Sequence, residues 1–300
     1  NNNERERLNN LRKSSVIAGR IFSGFTFQLM QVYNQNFSLS FLANIDLIPY
    51  DFIVTYPSIK SAVNNTFSGR YSSFYVTFNA NGKIIKGLYY NFEATYETGF
   101  NTCYNDSGES IKINDSLINS FAINTGLNYF FDHKTKPMFG FKFMYANGDN
   151  DVLFNSSAII NKEGDDNNYR SPMQPSIGYA LGPDFSNVIV ITLNNSIKPL
   201  IFLKNEIFSR FLLESGLLLL LRPNINGATF YKERFEYLKG DKRSSYEKAY
   251  LGLEIDLSAS WQIFSDLSFQ LQGGVLIPNY TIYDGNDVFW KVGLSLNVSF

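Results

Sequence analysis

Nine charged side chains share a position in the sequence pattern. Arg20, Glu93, Glu97, Lys142, Arg210, Glu214, Glu254, Asp256 and Lys291 all fall on the polar side of segments that alternate polar and apolar residues. In "AYLGLEIDLSASWQI", Leu251, Leu253, Ile255, Leu257, Ala259 and Trp261 form one face, and Gly252, Glu254, Asp256, Ser258 and Ser260 form the other. Acids and bases gathered on one face of a set of strands have two uses. They line an aqueous passage and filter solutes by charge, or they pair with one another and brace the space between walls. The nine are of mixed sign, so no ring of a single charge is present.

Other chemistry is sparse. Cys103 is the sole cysteine and His133 the sole histidine, which excludes an internal disulfide, a cysteine-based zinc site and a two-histidine metal site. A serine–histidine pair needs His133, and that residue sits in "FFDHKTKP", a turn signal away from any site. No enzyme activity, cofactor or metal is expected. The acidic clusters "GDND" (148–151), "EGDDNN" (163–168) and "DGND" (284–287) lack the spacing of a calcium loop and read as solvated loops. Formal net charge is -1, which gives no field for nucleic acid.

The elements that place the nine charges are strands. Alternation recurs at 88–97, 120–131 and 138–146, and more weakly at 16–30, 37–46, 70–79, 187–196 and 267–277. The closing "DVFWKVGLSLNVSF" sets Val288, Trp290, Val292, Leu294, Leu296, Val298 and Phe300 against Lys291, Ser295 and Asn297. "NEIFSRFLLESGLLLLL" is read as a strand, although Glu206, Arg210 and Glu214 at four-residue spacing also suit a helix. Tight turns are expected at "NANG" (79–82), "DHKTKP" (132–137), "IKPLIFLK" (197–204) and "FSD" (264–266). Long polar connections are expected at 47–69, 100–116, 147–186, 222–248 and 279–286.

A soluble sandwich and a membrane barrel both alternate. Three features favour the barrel: alternation sustained beyond ordinary strand length, a polar face of small neutral residues, and connections that switch between short and long. The absence of 18 consecutive apolar residues removes a spanning helix and leaves strands as the only way across a bilayer. The expected fold is all-β, a transmembrane antiparallel up-and-down β-barrel with about 11–12 strands visible. Residues 1–300 are read as a single barrel domain, with 1–13 as an extracellular loop or truncated amino-terminal region. An odd strand count points to the carboxy-terminal part of a barrel of about 16–18 strands.

The alternating last strand ending at Phe300 resembles the assembly signal of Gram-negative outer-membrane barrels. "YANGD" (145–149), "NSIKP" (195–199) and "YLGLEIDLSASWQIFSDLSFQLQGGVLIPN" (250–279) resemble the alginate-export family of barrel porins. "VLFNSSAIINKEGDD" departs from the Phe- and Pro-rich loop usual in that family. The resemblance implies an outer-membrane porin-like channel for diffusion or export of small polar or saccharide solutes, lined by the nine charges. The alternative is a surface-exposed structural or adhesive barrel whose loops at 147–186 and 222–248 bind partners. Expected partners are outer-membrane lipid, lipopolysaccharide, and the barrel assembly machinery engaging the strand that ends at Phe300.

Overall fold

Residues alternating at period two send side chains to opposite faces of a strand. Strands form where that pattern runs. The computed structural model describes residues 20–47, 50–57, 62–106, 111–149, 164–172, 175, 177–180, 182, 185–203, 206–225, 249–279 and 288–298. Within them lie β1 (Arg20–Val32), β2 (Gln35–Asp46), β3 (Tyr50–Pro57), β4 (Ala62–Ile85), β5 (Leu88–Asp106) and β6 (Ile111–Phe130). The second half holds β7 (Met138–Ala146), β8 (Val188–Ile197), β9 (Phe211–Leu221), β10 (Tyr250–Gln262), β11 (Leu267–Pro278) and β12 (Phe289–Val298).

All twelve belong to one antiparallel sheet in the order β1-β2-β4-β5-β6-β7-β8-β9-β10-β11-β12, with β3 paired to the first part of β4. The sheet is an up-and-down meander of eleven staves. β3 continues the course of β2 along β4 rather than adding a stave, since β2 holds β4 from Ser73 to Gly82 and β3 holds it from Ala62 to Gly69. Among the described residues, β1 and β12 are not paired to each other, so the sheet is open there. Eleven reversing staves make these two edge strands run in the same direction.

The faces invert the rule for water-soluble proteins. On β10, Leu257 is 61% exposed whereas Glu254 is 0%. Phe100 and Leu117 on the outer face of β5 and β6 are likewise exposed, while Glu97 and Ser120 behind them are buried. A sheet with that arrangement keeps apolar residues toward hydrocarbon and pairs its backbone amides in the ladder.

Several connections differ from the sequence expectation. "NANG" at 79–82 is not a turn. Asn79 and Asn81 pair with Glu93 and Asn91 in the ladder, and the Asn36 amide bonds Asn81 Oδ1 at 3.1 Å. The reversal comes later, at Lys86 and Gly87, where Gly87 takes a φ of 85° that a side chain resists. The segment 47–69 contains β3 and the start of β4, and 100–116 contains the ends of β5 and β6. Their Asn, Ser and Thr content concealed hairpins that run on past the main sheet. "DHKTKP" and "FSD" are turns as expected. In "NEIFSRFLLESGLLLLL" the strand begins only at Phe211, and Glu206–Ser209 form one helical turn. That turn is held by Trp261, whose ring stacks on Phe208 and whose Nε1–H donates to Ile207 O at 2.9 Å. Residues 226–248 of the expected loop at 222–248, residues 280–286 of that at 279–286, and residues 16–19 of the expected first strand lie outside the described residues.

An acidic inner wall and the loop laid across it

Strand parity carries eight of the nine predicted charges to the inner face. Glu93 and Glu97 stand on β5, Lys142 on β7, Glu214 on β9, Glu254 and Asp256 on β10, and Lys291 on β12. Arg20 opens β1 and makes a two-pronged ion pair with Asp46, 2.6 and 3.2 Å, across the first hairpin. Arg210 is the exception: it lies in the turn ahead of β9, exposed, because the helical turn displaces the strand start. Across the sheet, Gly216, Asp256, Gly274 and Lys291 form one transverse row. Glu93 and Lys142, two strands apart, attract each other.

What occupies these acids is the connection between β7 and β8. Its described residues between 164 and 187 turn inward. Asp166 forms a parallel bridge with Ile118 of β6, its N–H donating to Leu117 O at 2.7 Å and its carbonyl accepting from Asn119 at 2.9 Å. β6 has an open edge at that level because β7 pairs only as far as Ala122. The chain then reaches β5. Arg170 N–H donates to Glu97 Oε2 at 2.8 Å, and the Tyr75 hydroxyl lies 2.9 Å from both Arg170 O and Glu97 Oε1. The Tyr71 hydroxyl and the Ser120 hydroxyl also donate to Glu97, the latter at 2.9 Å. Four donors around one buried carboxylate replace the water it has lost.

The Arg170 guanidinium stacks over the Tyr71 ring, 4.3 Å from its centroid, and meets Asp166 at 3.1 Å. Burial pushes the Asp166 carboxyl above the usual carboxylate range, and Arg170 draws it part of the way back. Further along, Tyr179 N–H donates to both carboxylate oxygens of Asp256, at 3.2 and 3.3 Å, and Ala180 N–H donates to Glu254 Oε1 at 2.6 Å. The loop thus spans from β5 to β10 over the intervening inner face. Its return is fixed by paired asparagines: Asn187 Nδ2 donates to Asn224 O at 3.1 Å, and Asn224 N–H to Asn187 Oδ1 at 3.0 Å.

Under the loop lies an apolar cluster of inner-wall residues (Met144, Val190, Leu218, Leu220) with Tyr169, Ile177 and Phe185 from above. This explains a break in the alternation. "VIVI" at 188–191 and "LLLLL" at 217–221 are apolar on both faces, one turned outward and the other packed against the loop. Beside the cluster a cavity of about 180 Å³ is lined by Lys142, Thr192, Asn194, Glu214 and Ser258, with Tyr179 of the loop at its rim. Polar and apolar side chains share its lining, Met144, Ile177, Val190 and Leu218 among the latter, and Lys142 stands there with Glu214 and Asp256.

The family model for alginate export matches residues 59–288, well over half of the chain. The chain belongs to the alginate-export family. Among curated proteins, none matches it. Alginate-export proteins are outer-membrane β-barrels that serve as export channels, not enzymes, and the all-β up-and-down sheet is consistent with that membership. In this alginate-export chain His133 bonds Thr135 within its own turn, Nδ1 to Oγ1 at 2.9 Å.

The sequence did not point to Arg170, Ile177 or Gly178, nor to Tyr71 and Tyr75, and "EGDDNN" (163–168), expected as a solvated loop, instead buries Asp166 and Asn168 against β5 and β6. The signal existed in the two stretches of lost alternation, which mark wall that is covered on both sides. The loop at 147–186 was expected to face outward, and its described residues face inward instead.

Proposed function

We propose that this chain forms the wall of an outer-membrane channel through which polar solutes, saccharides among them, diffuse or are exported past the inward loop. The observation that carries the reading is the inversion of faces: acids, amides and hydroxyls inside, bare Leu, Phe and Trp outside. Lys142, Glu93, Glu214 and Lys291 then act on solutes by charge, while Glu97, Glu254 and Asp256 hold the loop that sets the bore. Outer-membrane lipid and lipopolysaccharide cover the outer face, and the assembly machinery engages β12 as it leads to Phe300. The inward course of the described residues between 164 and 187 favours passage over surface adhesion, because their contacts are with the inner face of the sheet. Single-channel recording of the full-length protein in planar bilayers tests this. Discrete conductance steps are expected, and a silent bilayer with verified insertion overturns the reading.

A further inference from the structure

Two adjoining rows of the inner wall carry carboxamides where charges could stand. The first crosses the sheet through Asn36, Asn81, Asn91 and Gly126 to Lys142. The second, one inward-facing step along the strands, joins Asn128, Gly140 and Asn194. Where the rows meet glycine, amides lie over the gap. A Cβ on Gly126 would stand 2.5 Å from Asn91 Oδ1, and one on Gly140 would collide with the side-chain oxygens of both Asn128 and Asn194. Asn36 and Asn81 bond each other at 3.1 Å. The carboxamides of Asn91, Asn128 and Asn194, each half-buried, have no hydrogen-bond partner among the described residues. Each offers two N–H donors and a carbonyl acceptor. The charges beside them balance: Lys142 is attracted by Glu93, and beyond Asn194 the second row runs through Gly216, Asp256 and Gly274 to Lys291, again one acid and one base.

We propose that these rows bind a neutral, hydroxyl-rich saccharide chain, and that the channel takes it in preference to a polyuronate. This rests on the channel reading above and names its solute class. Sugar hydroxyls both donate and accept, which a carboxamide matches on both counts. A polyuronate is held by cations along its path. Lys142, the base of the first row, is opposed by Glu93, and Glu214 adds an acid where the second row reaches the cavity. Adjacent strands lie about 4.8 Å apart, so Asn36, Asn81 and Asn91 repeat at close to the length of one pyranose unit. Barrel strands tilt by about 35–45°. A row across them therefore climbs along the passage, and a sugar chain can follow it.

The test is current block in planar bilayers carrying the full-length protein, with maltohexaose and cellohexaose as neutral probes and hexagalacturonate as the anionic one. A neutral hexamer is expected to block at lower concentration than the uronate. Asn91→Ala with Asn194→Ala is expected to weaken that block about tenfold, through the loss of two hydrogen bonds. Block by the uronate at equal or lower concentration, block by none of the three, or an unweakened block in the double variant overturns the track while leaving the channel standing. Absence of conductance from the inserted wild-type protein overturns both.

Discussion

Gly178 lies against the carboxylate of Glu254 so closely that a methyl group on its Cα would sit 2.5 Å from Oε1, and its φ of 65° falls where side chains are disfavoured. Space and backbone angle therefore demand the same residue at one point of the loop.

Gly178→Ala should strain the contact of the loop with Glu254 and Asp256 by about 1–3 kcal/mol and loosen the loop without disturbing the sheet. The β-sheet circular dichroism and its melting should stay close to wild type, while protease cutting near residue 178 accelerates. Unchanged cutting would show that the close approach to Glu254 does not hold the loop.

Glu97→Ala removes the acceptor shared by Tyr71, Tyr75, Ser120 and Arg170 N–H. Leaving buried donors unpaired costs about 1–3 kcal/mol each, so urea unfolding should move to clearly lower concentration. Glu97→Gln keeps an acceptor oxygen and should be milder. Equal effects of the two substitutions would contradict the four-donor arrangement.

Leu257→Arg places a charge on the outer face of β10 and should cost about 2–4 kcal/mol near the bilayer midplane. Gln270→Arg on the inner face of β11 should be tolerated. The folded fraction in liposomes measures both. Equal tolerance at the two positions would place the hydrocarbon on the wrong face of the sheet.

Glu214 accepts from Ser258 Oγ at 3.0 Å and borders the cavity with Lys142. Glu214→Gln should move the reversal potential in a salt gradient toward anions, whereas Arg210→Ala, out in the turn, should move it little. A larger shift from Arg210 would put the selective region at the turn end instead.

The staves were legible because each alternates over enough residues to pair along its whole length, as at 88–97 and 250–262. Their inner charges were legible for the same reason, parity being fixed by the strand. Turn positions were less so. Asn81-Gly82 carries the composition of a tight turn, but asparagine facing an aqueous wall is equally at home inside a strand, and only the partner strand decides. The loop was hidden more deeply, because its bonds to Glu254 and Asp256 come from main-chain N–H groups that every non-proline residue possesses. Nothing in the letters Ile-Gly-Tyr-Ala announces two carboxylates waiting across the lumen.

That same dependence on the main chain decides where heredity can record the contact. Substitution at Tyr179 or Ala180 leaves the donors in place, so long as proline is avoided. The acids on β10 and the glycine at 178 have no such freedom. Across descendants of this gene the loop's lettering should drift while Glu254, Asp256 and Gly178 stay fixed, so that the wall keeps the memory of a loop whose own sequence has forgotten it.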